Sequence, residues 1–174
     1  TGDNDLALDA GAQGNITLSG NLTGGGAMTV RDGKVQSYQV LTLNSLTITD
    51  ATTSVTLGDT LTAGGAVDID SGGTIVINAA VNTSSSSSGT VALDSGGVTT
   101  VAAAGDINAG GAVTFGAAGL GGTLTTSGDI DTSDDNITFT NAVTLGGNVD
   151  IDTTGGSAGN ILFSSTIATG GNNL

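Results

Sequence analysis

The chain has 174 residues, 37% of them apolar and only 2% aromatic, and its formal net charge of −14 comes from 16 acidic residues, all Asp, against Arg31 and Lys34. Two cations are too few to neutralise a nucleic-acid backbone, and an anionic membrane surface repels such a chain. Cysteine is absent and no run of 18 apolar residues occurs, so neither a disulfide framework nor a helical membrane span is expected.

Gly, Thr, Ser, Asn and Asp abound and Glu is missing, a mix that disfavours helix and favours strands and turns. Three apolar residues spaced six apart recur four times along the chain. The first set is Ile16, Leu22 and Met28, set in LTGGGAMTV from Leu22. The segment 30–40 then breaks the pattern. It holds both cations, the only Tyr (Tyr38), and an Asp32–Gly33 pair flanked by Val30, Arg31, Lys34 and Val35. Asp-Gly between such flanks is a hairpin signal. Two readings follow: a protruding hairpin whose Arg31, Lys34 and Tyr38 contact a partner, or an irregular turn or charged lid at an apolar end.

The second set is Val55, Leu61 and Val67, with LTAGGAVDI from Leu61. The third is Val101, Ile107 and Val113, with INAGGAVTF from Ile107, and the fourth is Ile137, Val143 and Val149, with VTLGGNVDI from Val143. A fixed internal period means one supersecondary unit stacked on copies of itself. Each unit is apolar–polar–apolar, as in Val67, Asp68, Ile69, so two apolar side chains share one face. Three-residue strands suit a solenoid better than a sandwich. Short corners separate them, and Gly25–Gly26, Gly64–Gly65, Gly110–Gly111 and Gly146–Gly147 are expected to supply positive φ angles there.

The expected fold is therefore all-β, a right-handed parallel β-helix with an aliphatic core. Roughly seven triangular turns of about 20–25 residues would make one rod, 1–174, roughly 34 Å long at about 4.8 Å per turn. Turns are expected to begin at Val55, Ile75, Val101, Leu124 and Val143, with Ile130 and Val149 successive on one face. Insertions should bulge at 82–89, around the serine run 84–88, and at 116–122. The chain reads as an internal or mature piece of a longer repetitive protein.

Three Asp-apolar-Asp triplets stand out: Asp68 and Asp70, Asp129 and Asp131, Asp150 and Asp152. Each pair flanks an inward Ile and points outward. Stacked one strand apart, Asp129, Asp131, Asp150 and Asp152 repel unless screened or bridged. A hard cation such as Ca²⁺ is a candidate bridge; solvated surface carboxylates are the alternative. The glycine-rich nonapeptide of calcium-binding solenoids is absent. No organic cofactor and no enzyme activity is expected: His is absent, the two cations lie in one loop, and glycosidase chemistry needs a carboxyl raised by burial. Thr47 with Thr49, and Thr138 with Thr140, have the Thr-x-Thr spacing of ice-binding solenoids, set against ordinary β-propensity on a wetted face.

The blocks NITLSGNLTGGGAMTV, SVTLGDTLTAGGAVDIDSGGTIVI and NITFTNAVTLGGNVDIDTTGGSAGNILFSSTI resemble the repeats of large filamentous-haemagglutinin-type bacterial surface proteins, from Asn15 nearly to the last residue. The resemblance implies a right-handed β-helix, export across a Gram-negative envelope, commonly by two-partner secretion, and an extracellular life at the cell surface. It implies the shaft of an adhesin or fibre, with no catalytic residue to carry over. Alternatives are a subunit stacking end to end into a filament, and a solenoid that binds ice or carbohydrate. Expected partners are further turns of the same protein or identical copies, and a host or neighbouring-cell surface.

Overall fold

A computed structural model describes residues 4–157 and 159–174, without the side chain of Val35. The described residues form strands and corners and no helix. In chain order the strands are β1 (Leu6–Asp9), β2 (Asn15–Leu18), β3 (Leu22–Thr23), β4 (Ala27–Tyr38), β5 (Leu41–Leu43), β6 (Ser45–Leu57) and β7 (Leu61–Ala63). Next come β8 (Val67–Ser71), β9 (Thr74–Ile77), β10 (Val81–Asn82), β11 (Val91–Ser95), β12 (Val98–Val101), β13 (Ile107–Ala109) and β14 (Val113–Phe115). The last are β15 (Thr123–Thr126), β16 (Ile130–Thr132), β17 (Ile137–Phe139), β18 (Val143–Leu145), β19 (Ile151–Asp152), β20 (Ile161–Phe163) and β21 (Ile167–Ala168).

Every strand pairs in parallel with its equivalent one turn on, which makes a parallel β-helix with three faces. The first face stacks β1, the start of β4, the start of β6, then β8, β11, β14, β17 and β20. The second stacks β2, the ends of β4 and β6, then β9, β12, β15, β18 and β21. The third stacks β3, β5, β7, β10, β13, β16 and β19. β4 and β6 run round the corner between the first two faces without a break. Following the second face, Ile16, Gln36, Val55, Ile75, Thr99, Leu124, Val143 and Ile167 are successive partners. That is seven steps, of 20, 19, 20, 24, 25, 19 and 24 residues.

One turn start and one pairing differ from the sequence expectation. Thr99, not Val101, sits on Ile75, and Val101 sits on Ile77. Ile151, not Val149, sits on Ile130. Both differences are two residues, the pleat period, so the same side chains still point inward. Thr99 is polar, so apolar periodicity does not mark it. It is tolerated inside because its hydroxyl bonds Ser95 Oγ at 3.0 Å. The insertions lie where expected, between β10 and β11 and between β14 and β15, and account for the longer steps. A third separates β19 from β20. The serine loop is an ordered corner: Thr83 Oγ1 donates to the Gly89 carbonyl, and Gly89 N donates to Ser86 O at 2.8 Å.

The interior is filled by columns of like side chains, each worth about 1.5–3 kcal/mol when fully buried. It is not purely aliphatic. Phe115, Phe139 and Phe163 stack on the first face with ring centroids 5.2 and 4.4 Å apart and planes within 7°. Register forces this, since the three are Cα partners. Met28 and Tyr38 also lie inside.

The repeated glycine pairs serve a different purpose from the one their spacing suggests. None of Gly26, Gly65, Gly110 or Gly147 has positive φ. A Cβ at Gly26 would strike the Asn4 carbonyl, and one at Gly110 the Ser86 carbonyl. Gly26 and Gly110 let one corner nest directly on the preceding turn, whereas a Cβ at Gly147 would make only ordinary contact.

Candidate functional site

The segment 30–40 is not a protruding hairpin. β4 passes straight through it, pairing in parallel with β1 and β2 below and β6 above. Asp32, at φ 44°, turns the corner, and the register shifts between Gly33 and Val35. The tolerance for positive φ that suits Asp-Gly to a hairpin also suits it to a solenoid corner. Tyr38 therefore cannot contact a partner. It is fully buried, and its hydroxyl donates to Gln36 Oε1 at 2.7 Å. Burial pushes its phenol well above the usual value. Gln36 Nε2 has no partner inside the core. Arg31 and Lys34 remain exposed at the wall.

The Asp triplets do point outward around buried Ile69 and Ile130. On the third face a polar column climbs through Thr62, Asn82, Asn108, Asp131 and Asp152, each partnering the next. Asp131 and Asp152 thus come together in a groove of about 170 Å³ shared with Asn108, Ser84, Ser133 and Thr154. Burial first, then Asp129, Asp152, Asp150 and Asp106, raise the Asp131 carboxyl above the usual carboxylate range. Asp152 is lowered, because its carboxylate accepts from Thr154 Oγ1 at 2.8 Å and Thr154 N at 2.7 Å.

Asp129 and Asp150 do not join that groove. They belong to a corner column that begins at Asp106. Asp106 Oδ1 accepts from Asp129 N at 3.0 Å, and Asp129 Oδ1 accepts from Asp150 N at 2.8 Å. Each carboxylate caps the backbone of the turn above it. Asn136 does the same for Asn160 N at 2.8 Å, and Asn148 for Asn173 N at 3.0 Å. The sequence signal for this device is an Asp or Asn directly before an inward Ile or Val. Asp106, Asp129 and Asp150 share it, and a reading centred on triplets passes over Asp106. Among the described residues no three carboxylates converge so as to hold a metal ion. The four Asp expected to bridge through Ca²⁺ are divided between two columns.

The Thr-x-Thr pairs do not build an array. On the first face Thr47 lies between Thr29 and Asp68, and Thr49 between Arg31 and the bulge below Asp70. The second face is different. Its outward column runs Thr17, Ser37, Thr56, Val76, Thr100, Thr125 and Thr144, and its strands contain no charged residue. The chain's charge is sorted onto the other two faces and the corners.

No family model, curated protein or solved structure matches the chain.

Proposed function

We propose that this chain is the non-catalytic shaft of a bacterial adhesin or cell-surface fibre, working outside the cell as a spacer. The observation that carries this reading is the unbroken ladder of parallel pairing through seven turns, around an interior filled by side chains. Such a stack converts chain length directly into reach. Its stability is the sum of turn and interface terms, so it can be extended without redesign. The dense negative charge keeps neighbouring rods apart. The resemblance to filamentous-haemagglutinin-type repeats supports the same reading.

An antibody against the folded rod should label intact cells of the source organism, and surface protease should remove the label. Labelling seen only after lysis would overturn the proposal. A second reading is a filament of identical copies stacked end to end. In it a second copy would cover Ile161, Leu162 and Ile167 on β20 and β21, which a further turn of a longer shaft would cover equally. Small-angle scattering separates the two. A shaft keeps one cross-section and one length as concentration rises, whereas a filament lengthens at constant cross-section.

A further inference from the structure

One loop of the rod rests on a carboxylate. The chain leaves the wall after β14 and rejoins it at β15. Both ends are tied to the turn below: Gly116 N donates to Leu93 O at 3.0 Å, and Gly122 N donates to Ser95 O at 2.8 Å. Both glycines are buried, whereas Ala117, Ala118, Gly119, Leu120 and Gly121 between them are exposed. Gly116, Gly119 and Gly121 have φ of 84°, 76° and 84°, a bend that L side chains rarely adopt. The bend lays the loop back across the corner between the first and second faces. Ala118 and Leu120 there face Asp50, Ala51 and Asp70 across a cavity of about 230 Å³. Between its two anchors, one hydrogen bond among the described residues ties the loop to the wall: Leu120 N donates to Asp94 Oδ2 at 3.4 Å.

That acceptor is poorly served. Asp94 is 3% exposed, and its Oδ1 is enclosed without a hydrogen bond. Its register partner on β8 is Asp70, with Asp68 two residues along the same strand. Asp50 lies in the bulge of β6, one strand further down. β12, β14 and the loop itself bring no charged residue to it. Arg31 and Asp32 are on β4, three strands away.

An ionised carboxylate needs water or donors. A loop that covers it takes away the water and returns one long bond. A neutral carboxyl loses far less on burial. Covering therefore favours the neutral form, and by linkage ionisation favours uncovering. Asp70 shows the sign: burial, and then Asp68, Asp94 and Asp50, raise its carboxyl above the usual range.

We propose that loop 116–122 is an acid-closed flap, which lies on the wall while Asp94 and Asp70 are neutral and lifts about Gly116 and Gly122 when they ionise. Lifting exchanges an apolar cover of Ala117, Ala118 and Leu120 for a bare row of carboxylates, so one patch of the rod changes character between acid and neutral solution. The anchors join backbone to backbone and carry no charge, so the strands on either side stay in place. Closure is favoured below the usual carboxylate range and lost as pH rises through and above it, because the closed loop holds the Asp70 proton more tightly.

The test is amide NMR relaxation on the whole chain at pH 3 and pH 7. Order parameters at Ala118, Gly119 and Leu120 are expected near the rigid value of about 0.85 in acid and below about 0.6 at neutral pH. Amides of β8 and β11 should stay rigid at both, which separates a lifting loop from an unfolding rod. Asp94→Asn removes the charge and keeps an oxygen to accept from Leu120 N, so its loop should stay ordered at pH 7. Asp70→Asn, which removes the neighbouring charge, should order the loop in part. Asp131→Asn, on the third face, should respond as the unaltered chain does. A loop equally ordered at both pH values in the unaltered chain, or more ordered at pH 7, would overturn the proposal. The comparison at pH 7 decides by itself: equal loop mobility in the unaltered chain and in Asp94→Asn would overturn it as well.

Discussion

Asp70 and Asp131 hold their protons more tightly in the fold than in the unfolded chain. Their contribution to stability is therefore present at low pH and lost as pH rises through the carboxylate range. Asp131→Asn is expected to stabilise the rod at pH 7 by about 0.2–1 kcal/mol, the usual scale for like charges facing across a strand pair. The gain should shrink at pH 3 and in high salt. Thermal melts at both pH values check this, and equal losses at both would contradict it. Asp152 has the opposite sign: its lowered carboxyl favours the fold above the usual range, and that contribution disappears on acidification. Tyr38 is the residue whose position most changes its meaning. Tyr38→Phe should cost about 1–3 kcal/mol, because it strips Gln36 Oε1 of its donor beside an already unpaired Nε2. The raised phenol favours the fold below its ordinary value of 10.0, and that contribution is lost as pH climbs above it. Tyrosinate absorbance should then appear only together with loss of the strand signal. Ionisation of a fully folded rod would show that the hydroxyl is not buried.

Corners, rather than strands, distinguish one element of this rod from another. Apart from β4 and β6, the strands are two to five residues of the same alternation, but each corner solves a separate steric problem. At Gly26 the requirement is close approach to the Asn4 carbonyl, whereas a Cβ at Gly24, two residues earlier, meets nothing within 4 Å. Gly26→Ala is expected to destabilise by about 1–3 kcal/mol through overpacking. Gly24→Ala should be neutral or slightly stabilising, by up to about 1 kcal/mol, through the unfolded chain. Chemical denaturation of the pair measures the contrast, and equal effects would mean the corners do not nest as described. The Asp-capped corners belong to the same scale. Asp129→Ala removes the acceptor for Asp150 N and should cost about 0.5–1.5 kcal/mol. Asp129→Asn, which keeps an acceptor oxygen, should recover most of it.

At the scale of the whole molecule, each turn touches only its neighbours, so protection should fall from the middle outward. Hydrogen exchange is expected to be slowest in β8, β9, β11 and β12, which are paired on both sides. It should be fastest in β20 and β21, each paired on one side. Uniform protection would mean that the stack opens as one cooperative block. Phe139, held between Phe115 and Phe163, is the residue that couples the last turns. Phe139→Ala should cost about 3–5 kcal/mol and loosen β17 and β20 before the rest. Charge is also organised at this scale. Outward carboxylates line the first and third faces, while the strands of the second face present Thr, Ser and Val without charge, leaving it the least repulsive approach for another surface.

The sequence by itself determined the period, the three-faced turn, the aliphatic part of the inward set, the number of turns and two of the loop insertions. These follow from local rules: pleat alternation along a strand and the corner-forming habit of Gly, Asn and Asp. Only the tertiary structure decided which turn sits on which. Thr99 meets Ile75, Ile151 meets Ile130, and the four Asp of the paired triplets separate into a capping column and a groove. Register depends on how many residues each corner consumes, and the alternation that marks the inward face is unchanged by a slip of two. The buried carboxylate of Asp94 lies beyond sequence reading for the same reason. It stacks on Asp70, 24 residues away, and a loop folding back from 116–122 buries it. Tyr38 and the corner at Asp32 show the converse limit. Their local signal was strong, but stacking in register on turns above and below outweighed it.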